Sequence, residues 1–343
     1  MNQVRRNLLI AGSAAIAAPA FVRAQALERK EVTIAVGGRA ALYYVALMVA
    51  DRMKYFEAEG LNVNIVDFAG GAKALQAVVG GSADVVSGAF EHTIAMLAKG
   101  QHMRAFVLAG RAPQITLGVS RKTMPNYKTI ADLKGKTVGV TAPGSSTHIL
   151  TNFVIAKAGL KPTDISVVGV GATTTAAAAL RSGKIDAISN VDPVITILER
   201  AGEITVVSDT RNVEAADKIF GGPMPAACLY APTSFVEKNP NVCQALANAM
   251  VRADKWIHQS GASDILRIAP ENYLLGDRAI YVDAYLKAKG ATSPDGYFPE
   301  KGPATALRAL ASVDPNLAHA KLDLKLVYTN DFVRKANAKY PKG

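Results

Sequence analysis

Cysteine, tryptophan and long apolar runs are all scarce in this chain. Its 343 residues hold two cysteines, Cys228 and Cys243, which excludes a dense disulfide framework. An oxidising compartment would permit that one pair to bond, and spacing alone leaves open whether they do or whether both are buried thiols. The five histidines, His92, His102, His148, His258 and His319, show no metal-ligand spacing, and no metal or other cofactor is expected. Ser145-Ser146-Thr147-His148 lacks the Gly-x-Ser-x-Gly elbow of a hydrolase and has no evident orienting acid, so no enzyme activity is expected. The formal net charge is +11, yet the basic residues are scattered and no basic run with interleaved aromatics occurs. That balance favours anionic partners in a general way and gives no sign of nucleic acid.

The one notable apolar run stands at the start. Residues 1–26 combine Arg5-Arg6, an apolar stretch from Leu8 to Val22 and the small-x-small triplet Ala24-Gln25-Ala26, the pattern of an export signal cleaved near Ala26. The run is too short to span a bilayer. No cysteine follows it, which argues against a lipid anchor, and Arg5-Arg6-Asn7-Leu8-Leu9 leaves twin-arginine and general secretory export both open. A soluble exported chain starting near Leu27 is expected. Without Arg5, Arg6 and Arg23 of the signal it carries +8.

What is abundant is a repeat. Gly70-Gly71 opens a helical stretch that ends in Gly81-Ser82-Ala83-Asp84 and an apolar strand; Gly171 opens a second that ends in Gly183-Lys184-Ile185-Asp186 and another strand, at an offset of 102 between the two aspartates. Thr33-Ile34-Ala35-Val36 and Thr137-Val138-Gly139-Val140 repeat at an offset of 104. Two copies of so long a unit imply two similar α/β lobes rather than a solenoid, which needs several short repeats.

Apolar runs rich in Val and Ile near 32–36, 63–68, 83–88 and 103–110 alternate with helical patterns near 43–58, 71–80 and 90–99, and the second lobe repeats the plan with strands near 136–141, 165–170, 186–190 and 203–208. This alternation means βαβ units and a largely parallel sheet. Ile115 to Ser120 reads as the strand that crosses into the second lobe and Ala226 to Ala231 as the return; beyond Ser234 the pattern is helical, with 241–258 the longest helix. The expected division is residues 27–115 plus 226–343 for lobe one and 116–225 for an inserted lobe two, joined by two strands that can flex.

This order of elements resembles a known family. The residues that carry the likeness are Gly70-Gly71, the run Asp132-Leu133-Lys134-Gly135-Lys136-Thr137-Val138-Gly139-Val140, the following Pro143-Gly144-Ser145-Ser146-Thr147, Asp192-Pro193, and the ending Leu326-Val327-Tyr328-Thr329-Asn330-Asp331-Phe332. Together they resemble the substrate-binding proteins of nitrate/sulfonate/taurine ABC importers, the group that also holds the thiamine-pyrimidine synthases. The resemblance implies a type II periplasmic-binding-protein fold, ligand capture in the interlobe cleft, a periplasmic location, and a membrane permease with its ATPase as partners of a monomer. A rival implied by the same group is a binding protein or enzyme acting on a heterocycle. The synthase branch uses a cysteine-rich iron motif that this chain does not have.

In open α/β sheets ligands sit beyond the carboxyl ends of the strands, where helix N-termini also point. Candidate binding residues at such positions are Gly38, Arg39, Tyr43, Gly70, Gly71, Ser87, Glu91, Gly144, Ser145, Ser146, Thr147, Asn190 and Asp192. Gly144-Ser145-Ser146-Thr147 is the sharpest: glycine allows close approach, hydroxyls cap the helix, and free N–H groups favour an anion such as a sulfonate or carboxylate. Arg39 could pair with an anion bidentately. Of Tyr43 and Tyr44, one is expected to face the cleft and the other the core, since neighbours on a helix do not share a face. Glu91 and Asp192 are carboxylates that could meet a ligand amine; Asp192 could equally cap the next helix. In taurine-binding relatives the aspartate of a Trp-Asp-Pro motif takes the amine, and here Val191 stands where they have Trp.

Overall fold

The computed structural model describes residues 26–342, so the expected export signal lies, but for Ala26, outside the described residues. The strands are β1 (Glu31–Val36), β2 (Asn62–Asp67), β3 (Val85–Ala89), β4 (Met103–Leu108), β5 (Ile115–Ser120), β6 (Thr137–Val140), β7 (Ser166–Gly169), β8 (Ala187–Val191), β9 (Ile204–Asp209) and β10 (Ala227–Pro232). The helices are α1 (Val45–Arg52), α2 (Tyr55–Ala58), α3 (Gly71–Val79), α4 (Glu91–Leu97), α5 (Ser146–Ala156), α6 (Thr174–Ser182), α7 (Val194–Arg200), α8 (Val213–Phe220), α9 (Thr233–Lys238), α10 (Pro240–Gln259), α11 (Ala262–Ile268), α12 (Arg278–Lys289), α13 (Gly302–Ala311), α14 (Pro315–Ala318) and α15 (Asp331–Lys339).

The strands form two sheets, in the orders β2-β1-β3-β10-β4 and β7-β6-β8-β5-β9. Three strands at one side of each are parallel, β1 with β2 and β3, and β6 with β7 and β8. The fourth strand of each, β10 and β5, runs antiparallel to its neighbours. The sheets are therefore mixed. Both β3 and β8 are buried along their whole length, which is why Val85-Val86 and Ala187-Ile188 show no polar alternation.

The repeated aspartate has a structural task in both copies. Asp84 Oδ2 accepts from the Thr33 amide at 2.8 Å, and Asp186 Oδ2 accepts from the Thr137 amide at 3.0 Å. Each carboxylate takes the amide one residue before the β1–β3 and β6–β8 pairings begin, at Ile34 and Val138, where the ladder would otherwise leave a donor open.

Three expectations need correction. The helix read over 43–58 is a 3-10 turn, Leu42–Tyr44, followed by α1 and α2, because Lys54 takes the left-handed conformation at φ 58° and breaks the run. Ile115 to Ser120 is not itself the crossing: β5 already lies in the second sheet, and the chain crosses through residues 109–114, where Gln114 has φ 56°. Nor is Ala226 to Ala231 the return: β10 already lies in the first sheet, and the chain comes back through residues 210–226, which carry α8, an element not expected from the sequence. Asn212 caps it by accepting from the Ala215 amide at 2.8 Å, and Phe220 stacks on Phe153 of α5 at 4.8 Å between ring centroids.

The two connections run side by side. Gly110 and Ala226 bond at one end, amide of 226 to carbonyl of 110 at 2.9 Å, and at the other Thr210 donates to the Ile115 carbonyl at 3.0 Å. One large buried cluster extends through both lobes, and a smaller one around Leu180, Ile188 and Leu198 fills the space between α6, α7 and the second sheet. Cys228 in β10 and Cys243 in α10 are both buried and free, so the pair does not bond. Among the described residues no helix is long and apolar enough to cross a membrane.

Candidate functional site

The carboxyl ends of β1, β3, β6 and β8 meet across the seam between the lobes and enclose a small cavity. It is lined by Gly37, Tyr43, Tyr44, Gly71 and Ala89 from the first lobe, and by Ile115, Thr141, Ser145, Ser146, Thr147 and Val191 from the second. Its space for the centres of water-sized molecules is about 30 Å³, enough for a few atoms and no more. No Lys, Arg, Asp or Glu stands in that lining.

The polar groups there are amides, hydroxyls and phenols. α3 begins at Gly71 and α5 at Ser146, and the amides of Gly71, Ser146 and Thr147 have no acceptor among the described residues. Two helix N-termini from opposite lobes thus present open N–H groups and the positive ends of their dipoles to one space. The Ser145 hydroxyl accepts from the Ala72 amide across the seam at 3.0 Å. Thr147 faces the inner wall, where its hydroxyl accepts from the Thr141 amide at 3.0 Å. The Ser146 hydroxyl has no partner among the described residues.

Both tyrosines line the cavity, against the expectation that one would face the core. They sit in a 3-10 turn rather than an α-helix, and their rings meet edge to face with centroids 4.9 Å apart, so both reach the same space. The Tyr43 hydroxyl is buried with no partner. Burial, with the nearby Glu91 charge as a smaller cause, pushes its pKa well up, which keeps the phenol protonated and available as a donor.

The other candidates stand in several places. Gly70 forms the seam itself: a Cβ there would lie 2.8 Å from the Ala142 Cβ of the other lobe. Gly144 turns the chain at φ 85°, and its amide donates to His148 Nδ1. Gly38 and Arg39 both give their amides to Asp67 Oδ1, at 2.8 and 2.9 Å, and the Arg39 guanidinium faces Tyr273 and Asp51 rather than the cavity. Ser87 is buried within β3. Asn190 is tied to the Gly171 carbonyl and the Val191 amide, so both ends of its amide are used.

Asp192 takes the capping alternative. Its Oδ1 accepts from the Thr196 amide at 2.9 Å and hydroxyl at 2.8 Å, and its Oδ2 lies 3.6 Å from Arg211 Nη1. Its backbone carbonyl accepts from the Leu42 amide of the opposite lobe at 2.9 Å. Burial raises its pKa and Arg211 opposes that. Glu91 opens α4 and is 4 % exposed, in a crevice beside the cavity.

Gly37, Ala89 and Val191 line the cavity from strand-end segments that hold the expected candidates, whereas Thr141 and Ile115 line it without being expected there. The strand-end rule would have found Thr141, which follows β6 directly. Outside the cavity the lobes are held by Arg200–Asp283 at 3.0 Å and Lys287–Glu199 at 3.8 Å, between α7 and α12. The lobes are shut.

Two α/β lobes with this strand order, closed on a seam cavity, define the type II periplasmic-binding-protein fold. Residues 42–261 match the family described as NMT1/THI5 like, and the chain belongs to that family. A solved protein of Bordetella bronchiseptica RB50 is 58 % identical, with 92 % of this chain and 100 % of that one covered and a TM-score of 0.91. The alkanesulfonate-binding protein SsuA of Xanthomonas axonopodis pv. citri, solved bound to MOPS, is 20 % identical over 91 % of this chain and 99 % of that one, at a TM-score of 0.65. The periplasmic nitrate-binding protein NrtA of Synechocystis PCC 6803 is 14 % identical, covering 92 % and 90 % at 0.70. The last two are likenesses of fold.

Proposed function

We propose that the protein is the solute-binding component of an ABC importer, working as a monomer in the periplasm. It captures a small organic anion of the sulfonate type between its lobes and presents it to a membrane permease with its ATPase. The observation that carries this reading is the convergence of open amides from Gly71 of one lobe and from Ser146 and Thr147 of the other on one buried cavity. An anion with several oxygens can use donors from both sides at once. The solved relatives SsuA and NrtA are named for alkanesulfonate and nitrate, both of that kind.

Capture would work as a population shift: a guest that touches donors of both lobes only when they are shut stabilises the shut form by that difference. No lysine or arginine lines the cavity, so recognition rests on directed N–H and O–H groups. Each bond from a neutral donor to a charged oxygen is worth about 1.5–3 kcal/mol. Catalysis has no comparable support. Cys228 and Cys243 lie outside the cavity lining, and burial pushes both thiols up, that of Cys243 to about 12.

Calorimetric titration with short alkanesulfonates, nitrate and small carboxylates should give saturable binding for one of these classes. Replacing Ser145 and Ser146 by alanine together should weaken that binding about tenfold or more, which is ~1.4 kcal/mol or above. Unchanged affinity in the double variant would remove the α5 turn from the site.

A further inference from the structure

The cavity walls hold no charge that could answer an anion, yet a buried histidine stands directly behind them. His92, in the first turn of α4, is 3 % exposed, and its Nε2 has no partner among the described residues. Its Nδ1 lies 3.2 Å from the Tyr230 hydroxyl of β10. Burial pushes the Tyr230 pKa well up, so that phenol keeps its proton and can donate it to Nδ1, which leaves Nε2 as the N–H nitrogen of the neutral ring. The ring packs on the start of α3. Its Cε1 is 3.4 Å from the point where a Cβ of Gly71 would stand, and the Tyr44 hydroxyl is 3.8 Å from the same point. Gly71 is the first-lobe residue that brings an open amide to the cavity.

Around the ring, α4 and the residues just after it contribute Glu91 and Lys99, β10 contributes Tyr230 with Cys228 beside it, and the 3-10 turn contributes Tyr44. From the opposite lobe comes the Gly144 backbone, whose amide donates to His148 Nδ1 at 3.0 Å. Arg308 of α13 and Arg104 of β4, both elements packed on α4, turn instead to the carbonyls of Gly221 and Leu326. Burial lowers the His92 pKa below its ordinary 6.5; the Glu91 charge and the Gly144 backbone oppose this, and Lys99 adds to it. In the shut, empty protein the ring is therefore neutral at neutral pH.

We propose that His92 supplies the counter-charge of capture: as an anion takes the amides of α3 and α5, the ring behind Gly71 takes up one proton from solvent, and the guest is held opposite a buried imidazolium. This rests on the proposed capture of an anion and adds a proton to it. An anion shut away from water without a counter-charge is costly, and a proton on His92 removes part of that cost. His92 does not line the cavity, so it is a positioning residue that acts through its charge and its packing on Gly71. The sign follows from linkage: a loaded protein that holds the proton more tightly than the empty one gains affinity as pH falls. The gain begins as pH drops through the loaded protein's His92 value and is complete below the empty protein's, which lies under 6.5.

The probes are ethanesulfonate, nitrate and trifluoroacetate, anions that stay ionised across the range, titrated calorimetrically into the mature protein from about pH 8 to about pH 5 in Tris and Bis-Tris buffers. A probe that binds should do so roughly tenfold more tightly at the acid end. By NMR, the His92 imidazole should titrate about one unit or more higher in the loaded protein than in the empty one. His92→Gln, which keeps a polar side chain but cannot take the proton, should bind without pH dependence, whereas His148→Gln should retain it. A purely structural role for His92 would lower affinity equally at every pH. Wild-type affinity that is flat with pH, or that falls in acid, would overturn the proposal and leave anion capture standing. So would a dependence that persists in His92→Gln or is lost in His148→Gln. If no probe saturates wild type at any pH, the capture reading fails and this proposal falls with it. Should His92→Gln fold poorly, the shift of the wild-type imidazole titration on loading decides.

Discussion

Gly70 stands in extended backbone at φ 176°, a conformation open to any residue, so its missing side chain matters for space rather than for strain. The three atoms nearest a Cβ there all belong to the opposite lobe, Ala142 Cβ at 2.8 Å, Ala142 N at 3.1 Å and Ser145 Oγ at 3.1 Å. Overpacking of this kind costs about 1–3 kcal/mol, and here it is felt only when the lobes are shut. Gly70→Ala should therefore weaken ligand binding by roughly tenfold or more while the melting temperature of the empty protein stays within about 2–4 °C, as for a surface substitution in a chain this long. A large loss of melting temperature would show that the contact belongs to the folded state in general rather than to closure. Gly37 is tighter still, its Cβ position only 2.2 Å from the Gly71 amide nitrogen, but that clash lies within one lobe. The two glycines look alike in sequence and differ in what an alanine would disturb.

At the scale of the element, the duplicated unit of strand, helix and Gly-x-x-Asp is held by the same bond in both lobes. Asp186 has a single task, the Thr137 amide, whereas Asp84 also pairs with Arg29 at 2.9 Å. Replacing Asp186 by alanine leaves a part-buried amide at the start of β6 unsatisfied, which costs about 1–3 kcal/mol. Urea unfolding should show that loss in the midpoint with little change of slope. An unchanged midpoint would mean that water replaces the carboxylate. The helix starts repay a similar reading. α5 opens with small hydroxyl residues and α3 with two glycines, so both present bare amides, while α6 and α8 open under side-chain caps from Thr173 and Asn212. The two helices that begin at the cavity both open without a side-chain cap.

Over the whole molecule, closure rests on contacts far from the cavity as well as in it. Arg200–Asp283 and Lys287–Glu199 join α7 to α12, and Arg211 gathers Glu199, Asp209 and Asp192 behind them, at 2.7, 2.6 and 3.6 Å. The outer pairs stand partly in solvent, so each is worth about 0.2–1 kcal/mol. Asp283→Asn should reduce ligand affinity about two- to fivefold at low salt, and the difference from wild type should vanish near 1 M salt, where the screening length is ~3 Å. Small-angle scattering of the empty protein should report a wider shape for the variant at low salt. Equal shapes and equal affinities would show that the clasp is incidental.

Much of this was legible in the chain. The offset of about a hundred residues, the alternation of Val- and Ile-rich strands with helices, and Gly144-Ser145-Ser146-Thr147 at a strand end sufficed for two lobes, a seam and a donor-rich turn, because backbone periodicity and local capping depend on near neighbours. Pairing across distance did not follow. That Arg39 turns to Tyr273, that Asp192 caps α7 beside Arg211, that Asn190 is spent on Gly171, and that Tyr43 and Tyr44 share one face all depend on residues brought close by folding, some of them more than two hundred positions apart. Local order is a matter of each residue's own torsions and its few neighbours along the chain; which partner a polar side chain finds is settled by the packing of both lobes, and no periodicity records it.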